Sequence, residues 1–254
     1  MVQKNAMQMA TLYHNPYASG RETVSDLQRS ETPLQPRLGG YHEICEESVK
    51  DLEEEVERLE DEPLSTKQVK YLLNGKVNYV PYSEVKNYRS IDELIGEYNC
   101  CILLYFTAEN FGHYVCLTKR AGNLSRFPSN SSPENCDDEV EFFDPYGLMI
   151  DDELEFLGDD EEDLKERKNQ NYGYLTELLL DSPYKLIFNQ YQFQKEKDDI
   201  NTCGRHCAVR CSMKKLDLEQ YRKFIKNNIK LVKKTTGRKD IDADFIVTMY
   251  TSQV

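Results

Sequence analysis

The chain has 254 residues, 39% hydrophobic and 30% charged, with a formal net charge of −13. That length suits one sizeable domain with accessories, and no run of 18 apolar residues exists to form a membrane-spanning helix. The acidic balance disfavours non-specific nucleic-acid binding by the chain as a whole. Met1–Gly20 lacks the apolar core of a secretory signal, so the eight cysteines are expected to be reduced thiols in a cytosolic compartment.

Residues 1–42 hold Pro16, Pro33, Pro36 and Gly39-Gly40 without sustained periodicity, and read as a flexible arm. Residues 43–63 read as an acidic amphipathic helix. Val49, Leu52, Val56 and Leu59 share one face, Ser48 can cap it, and Pro63 ends it. The main domain is expected over 64–254. Ser65 or Thr66 can cap a helix running through Val69, Leu72 and Leu73 to Asn74-Gly75, and Ser90 a helix to about Tyr98.

Cys100–Thr107 is an almost continuous apolar run, fit for a buried strand. Asn110-Phe111-Gly112 turns the chain into a second strand, His113–Thr118, and Gly122–Asp138 reads as a loop. Val140–Asp144 is a third strand, stopped by Pro145-Tyr146-Gly147. Glu134–Leu164 holds fifteen acids and no Lys or Arg, so its part beyond Gly147 reads as a solvated insertion with some helix. A helix follows at Tyr174–Leu180, then a fourth strand at Tyr184–Tyr191. Helices at Gly204–Met213, Leu218–Asn228 and Asp242–Tyr250 complete the chain. Lys214–Lys239, with ten basic residues against two acids, reads as a solvated face that leaves room for a local anionic partner. Strands in the middle and helices at both ends make an α+β fold.

The segment Asn201-Thr202-Cys203-Gly204-Arg205-His206-Cys207 puts a thiol at the first turn of a helix. Unpaired backbone N–H groups there favour thiolate. Cys203, Cys207 and Cys211 recur every four residues beside His206; a small-residue core face is the expectation, and no metal is expected. A thiolate nucleophile needs a base. His113 opens a strand after Gly112, where a side chain can face a cleft. His14 and His42 lie in the arm, and His206, one turn deeper on the Cys203 helix, ranks second. Asp144, ending an apolar strand, can hold the imidazole by its Nδ1–H. The oxyanion needs donors. The backbone N–H at Cys203 is one, and Gln190, Gln192 or Gln194 can supply a side-chain amide, all three on one face if the strand continues.

The order Gly112-His113-Tyr114-Val115, Phe143-Asp144-Pro145-Tyr146-Gly147, Gln194 and Asn201-Thr202-Cys203-Gly204 resembles the adenovirus maturation protease and SUMO-specific protease clan of cysteine peptidases. The form NTCGRHC is most similar to capsid maturation proteases of virophages and related DNA viruses. The resemblance spans roughly residues 65–250. It implies a papain-like fold with a central mixed sheet and the nucleophile helix packed on it. It also implies a Cys203–His113–Asp144 triad with Gln194 at the oxyanion, no cofactor, and cleavage of a viral structural (capsid) precursor at Gly-Gly-X sites. Action in the host cytoplasm, the viral factory or the virion would follow. A deubiquitinase or SUMO-type isopeptidase, or a non-catalytic viral scaffold or adaptor, are the alternatives. Three features depart from the clan. Tyr114 stands where Trp is common, the Gln194–Cys203 spacing is longer, and the acidic charge gives no ground for carrying over activation by DNA. In the arm, Gly39-Gly40 before Tyr41 is a candidate self-cleavage site.

Overall fold

The computed structural model describes residues 46–108, 111–121, 138–155, 168–197 and 199–254. The arm, its Gly39-Gly40 site, residues 122–137 of the loop and residues 156–167 beyond the acidic turn lie outside the described residues. Among the described residues, eight helices surround a five-stranded mixed sheet, so the fold is α+β.

Helix α1 spans Glu46–Asp61, so Ser48 lies inside its first turn and does not cap it. Helix α2, Thr66–Leu72, starts at Ser65, whose side chain accepts from Gln68 N while Gln68 reaches back, a capping box that settles the choice between Ser65 and Thr66. Strand β1 (Asn78–Pro81) and the single-turn helix α3 (Tyr82–Val85) have no counterpart in the sequence reading; four residues are too few to show a period. Helix α4, Ile91–Ile95, is capped by Ser90 and ends at Gly96, short of Tyr98.

Strands β2 (Cys100–Ala108), β3 (Phe111–Arg120) and β4 (Glu139–Phe143) pair antiparallel in turn. The outer strands β1 and β5 (Lys185–Phe188) pair parallel to β2 and β4, so the order is β1-β2-β3-β4-β5. Helix α5, Tyr174–Leu180, precedes β5. Helix α6 is Cys203–Ser212. Helix α7 runs Leu218–Thr236, well past Asn228, until Gly237 stops it in a left-handed conformation, and α8 is Ala243–Thr251.

The sheet is covered on both faces. Ile102, Tyr114, Cys116 and Phe143 point to one core with α2, α6, α7 and α8. Cys101, Leu103, Val115, Leu117 and Phe142 point to the other, with α3, α4 and α5. This alternation is the period of two that a strand imposes on its side chains. Helix α1 belongs to the first core through the fully buried Val56, a contact of about 1.5–3 kcal/mol on the scale for one aliphatic side chain.

Candidate active site

The sheet holds α6 by a buried ion pair. Arg210 Nε and Nη2 donate to the two oxygens of Glu141 on β4 at 2.6 and 2.8 Å, both side chains fully buried. Arg210 also donates to the carbonyls of Met213 and Leu216, which uses two more of its N–H groups and fixes the turn after the helix. The other end of α6 is held by Asp244 on α8. That carboxylate accepts from Thr202 Oγ1 at 2.5 Å, Lys195 N at 3.1 Å and His206 Nε2 at 3.0 Å. His206 is thus bonded to Asp244 beneath the helix start.

Because the Thr202 side chain is turned to Asp244, no side chain caps the N-terminus of α6. The first N–H groups of the helix have no partner within it and point out beside Cys203. Cys203 is the first residue of that turn and is 8% exposed. The residue two before it is clamped by α1. Asn201 N donates to Glu60 O at 2.7 Å and Asn201 Nδ2 to Asp61 O at 2.9 Å. The acidic helix, expected as an accessory, is therefore part of the frame around the thiol.

His113 comes from the start of β3. Strand β4 pairs with β3 only from Cys116 onward, so the first residues of β3 have an open flank beyond the end of β4. There the His113 ring hydrogen-bonds Asp144 and lies close enough to Cys203 to feel its charge. Gly112 makes the approach possible. A Cβ at that position would lie 2.0 Å from the Tyr105 carbonyl oxygen. Tyr146 stacks on the imidazole, ring centroids 4.8 Å apart.

Asp144 follows the last residue of β4 and is fully buried. His113 Nε2 donates to its Oδ2 at 3.2 Å, and Tyr146 N donates to Oδ1 at 2.5 Å. This corrects the expectation that Asp144 would take the Nδ1–H: the carboxylate pairs with Nε2, at the far end of the ring. Asn189, unrecognised in the sequence, holds the Asp144 backbone. Its Oδ1 accepts from Asp144 N at 2.9 Å and its Nδ2 donates to Asp144 O at 2.8 Å, which carries the ladder one step beyond β5. Gly147, at φ +80°, turns the chain where a Cβ would meet the Tyr191 backbone at 2.9 Å.

Burial opposes charge on His113, but its hydrogen bonds to Asp144 and Cys203 and their negative charge hold its pKa well above the ordinary histidine value. Burial works against the Asp144 carboxylate too. The adjacent Glu153 carboxyl, the His113 bond and charge and the Tyr146 N–H outweigh it and keep the pKa below the usual range.

The three glutamines are not on one strand face, because β5 ends at Phe188 and the chain leaves the sheet. Phe193 N and Gln194 N both donate to Pro145 O, which turns Gln194 inward, while Gln190 and Gln192 are exposed. Gln194 Nε2 donates to Tyr146 OH and to Ile200 O, each at 3.1 Å. The Ile200 carbonyl can only accept, which fixes the amide orientation and commits both amide protons.

Glu153 is the residue the sequence hid. It was read as part of a solvated acidic run, yet it is 1% exposed, with Oε1 3.8 Å from His113 Nε2. Donor atoms of His113, Asp144 and Glu153 all lie within 4.8 Å of one another, the one such trio of possible metal donors among the described residues. Burial, and then the Asp144 charge, raise the Glu153 pKa to about 10. His113 Nε2 is already engaged with Asp144, so the three side chains form a hydrogen-bonding group around that carboxylate. Cys207 and Cys211 do not face the site. Cys207 donates to Tyr114 O at 3.3 Å, and burial raises its pKa to about 12.

No protein-family model matches the chain. Over 197 residues it is 34% identical to a protein of Sputnik virophage described as the uncharacterized protein V9; the match covers 78% of this chain and 98% of that protein. No helix among the described residues is long and apolar enough to cross a membrane.

Proposed function

The chain belongs to the family of the Sputnik virophage protein V9, and for it we propose the activity of a cysteine endopeptidase that processes viral structural precursor proteins. The observation that carries this reading is the His113–Asp144 hydrogen bond beside Cys203 at the uncapped start of α6. In it, His113 takes the Cys203 proton and Cys203 attacks the scissile carbonyl. His113 then returns the proton to the leaving amine, and water releases the acyl group by the reverse exchange. Asp144 keeps the ring oriented and favours its charged form. The oxyanion is received by the free N–H groups at Cys203 and by the Tyr146 hydroxyl, which accepts from Gln194 and keeps its own proton to donate. Gln194 then acts through Tyr146. No cofactor enters the reaction. A papain-like arrangement, with the nucleophile helix packed on the sheet that carries His113 and Asp144, is the finer fold assignment that goes with this function.

The test is cleavage of Gly-Gly-X peptides and of a candidate capsid precursor, with mass determination of the new ends, in parallel with ubiquitin and SUMO adducts. Cys203→Ala is expected to lose at least ~10³-fold in kcat/KM and to lose labelling by an electrophilic thiol probe. Asp144→Asn should cost less than His113→Ala. Adduct cleavage alone would favour an isopeptidase. An unlabelled Cys203 and no cleavage would favour an adaptor and overturn the reading. Unchanged activity in Cys203→Ala would do so as well.

A further inference from the structure

We propose that Glu153 is a positioning residue of this site, a neutral carboxyl that donates a hydrogen bond to Asp144 and so holds the carboxylate that orients His113. Glu153 sits in the 3₁₀ turn Asp152–Glu155, and its neighbours fix that turn from outside. Asp152 Oδ2 accepts from Met149 N at 2.8 Å. Asp151 accepts from Tyr105 OH at 2.7 Å and from Thr176 N at 2.9 Å. The two acids before it are satisfied by Tyr105, Thr176 and Met149, and Glu153 turns inward.

What Glu153 meets there decides its state. Neither oxygen has an N–H or hydroxyl donor in hydrogen-bonding geometry. The titratable groups beside it are Asp144 and His113, with donor atoms all within 4.8 Å of one another. No Lys or Arg is bonded to it among the described residues. Asp144 receives Tyr146 N and His113 Nε2, so it keeps the negative charge. Two adjacent buried carboxyls cannot both ionise, and the one with no donors of its own takes the proton. That proton has one acceptor in front of it, the Asp144 carboxylate. An anionic Glu153 would instead be a second charge against Asp144, unsatisfied at both oxygens, which burial makes costly.

The inference rests on the protease reading only for its activity arm. The first experiment is a ¹³C carboxyl titration of the full-length protein in the Cys203→Ala background, which does not require catalysis. One carboxyl should remain protonated at about pH 8, far above the ordinary glutamic acid value. It should be absent from the same protein carrying Glu153→Gln. The second follows the pH dependence of Cys203 alkylation by iodoacetamide, with the modified residue mapped by mass. Glu153→Gln keeps a neutral donor and should leave the acidic limb in place. Glu153→Ala removes the donor, raises the proton affinity of Asp144, and should move that limb up by about one pH unit.

Carboxyls that all titrate below about pH 6 would overturn the proposal. So would a Glu153→Gln profile that matches Glu153→Ala, or a stoichiometric metal found in the wild-type protein and lost from Glu153→Gln. If Glu153→Ala does not fold, the titration and the Glu153→Gln profile decide. A protein that titrates and alkylates as stated but cuts no peptide would sink the protease reading and leave this inference standing.

Discussion

Asp244 and Thr202 form a 2.5 Å hydrogen bond that uses the side chain a helix start would ordinarily keep for its own cap. The bond leaves the N–H groups beside Cys203 uncovered, and Asp244 at the same time holds His206 and the Lys195 backbone. The site has two buried imidazole–carboxylate pairs with different tasks. His113–Asp144 faces the thiol, and His206–Asp244 holds the frame.

The two pairs should separate in mutants. Asp244→Ala leaves His206 and Thr202 without their acceptor and is expected to cost about 1–3 kcal/mol of stability for each buried donor left unsatisfied. Asp144→Asn keeps the shape of the residue and should mainly reduce turnover. Chemical denaturation and peptide cleavage of both variants check this. An Asp244→Ala protein as stable as wild type would contradict it.

The Glu141–Arg210 pair anchors α6 to β4 with both side chains buried. Glu141→Ala strands the guanidinium and should destabilise by about 3–5 kcal/mol, whereas replacing both residues by apolar ones of similar size should recover much of the loss. Unfolding midpoints of the single and double variants measure this; equal midpoints for the two would contradict it.

Gly112→Ala is expected to displace the start of β3, because the added carbon falls on the Tyr105 carbonyl and backbone has to move. A shift of about 1 Å at His113 is enough for a ~10²-fold loss in kcat/KM. If the variant folds, its Cys203 alkylation rate near neutral pH should fall as well. Wild-type cleavage and alkylation rates would show that the strand start has slack.

The raised pKa of His113 sets a pH dependence of stability with a definite sign. Folding favours the protonated ring, so its contribution is fully present below the unfolded value, near 6.5, and is lost as pH rises through the folded value. The stability gap between wild type and His113→Gln should therefore be widest at about pH 5.5 and narrow toward alkaline pH. Slopes due to carboxyls remote from His113 are common to both proteins and cancel, while those of Asp144 and Glu153 shift with the ring. Melting temperatures of the pair across pH give the test, and a gap that widens with pH would reverse the assignment.

Cys203 at a helix start, His113 opening a strand and Asp144 closing one were legible in the sequence, because each follows from a local pattern. Apolar runs mark strands, spacings of three and four mark helices, and Ser65, Ser90 and Asp242 mark helix starts through their short polar side chains. The order of these elements also indicated an α+β fold. What lay beyond the sequence was which distant residue meets which. Glu153 looks like its neighbours in an acidic run, and only packing of the Asp152–Glu155 turn against Asp144 removes it from water. Asn189 looks like a strand-end residue until it is found bridging to Asp144. The ring nitrogen that Asp144 takes and the inward turn of Gln194 are likewise set by contacts between separate elements. Local propensity acts within a few residues of chain, while burial and hydrogen-bond partnership are properties of the assembled sheet and its two helical layers.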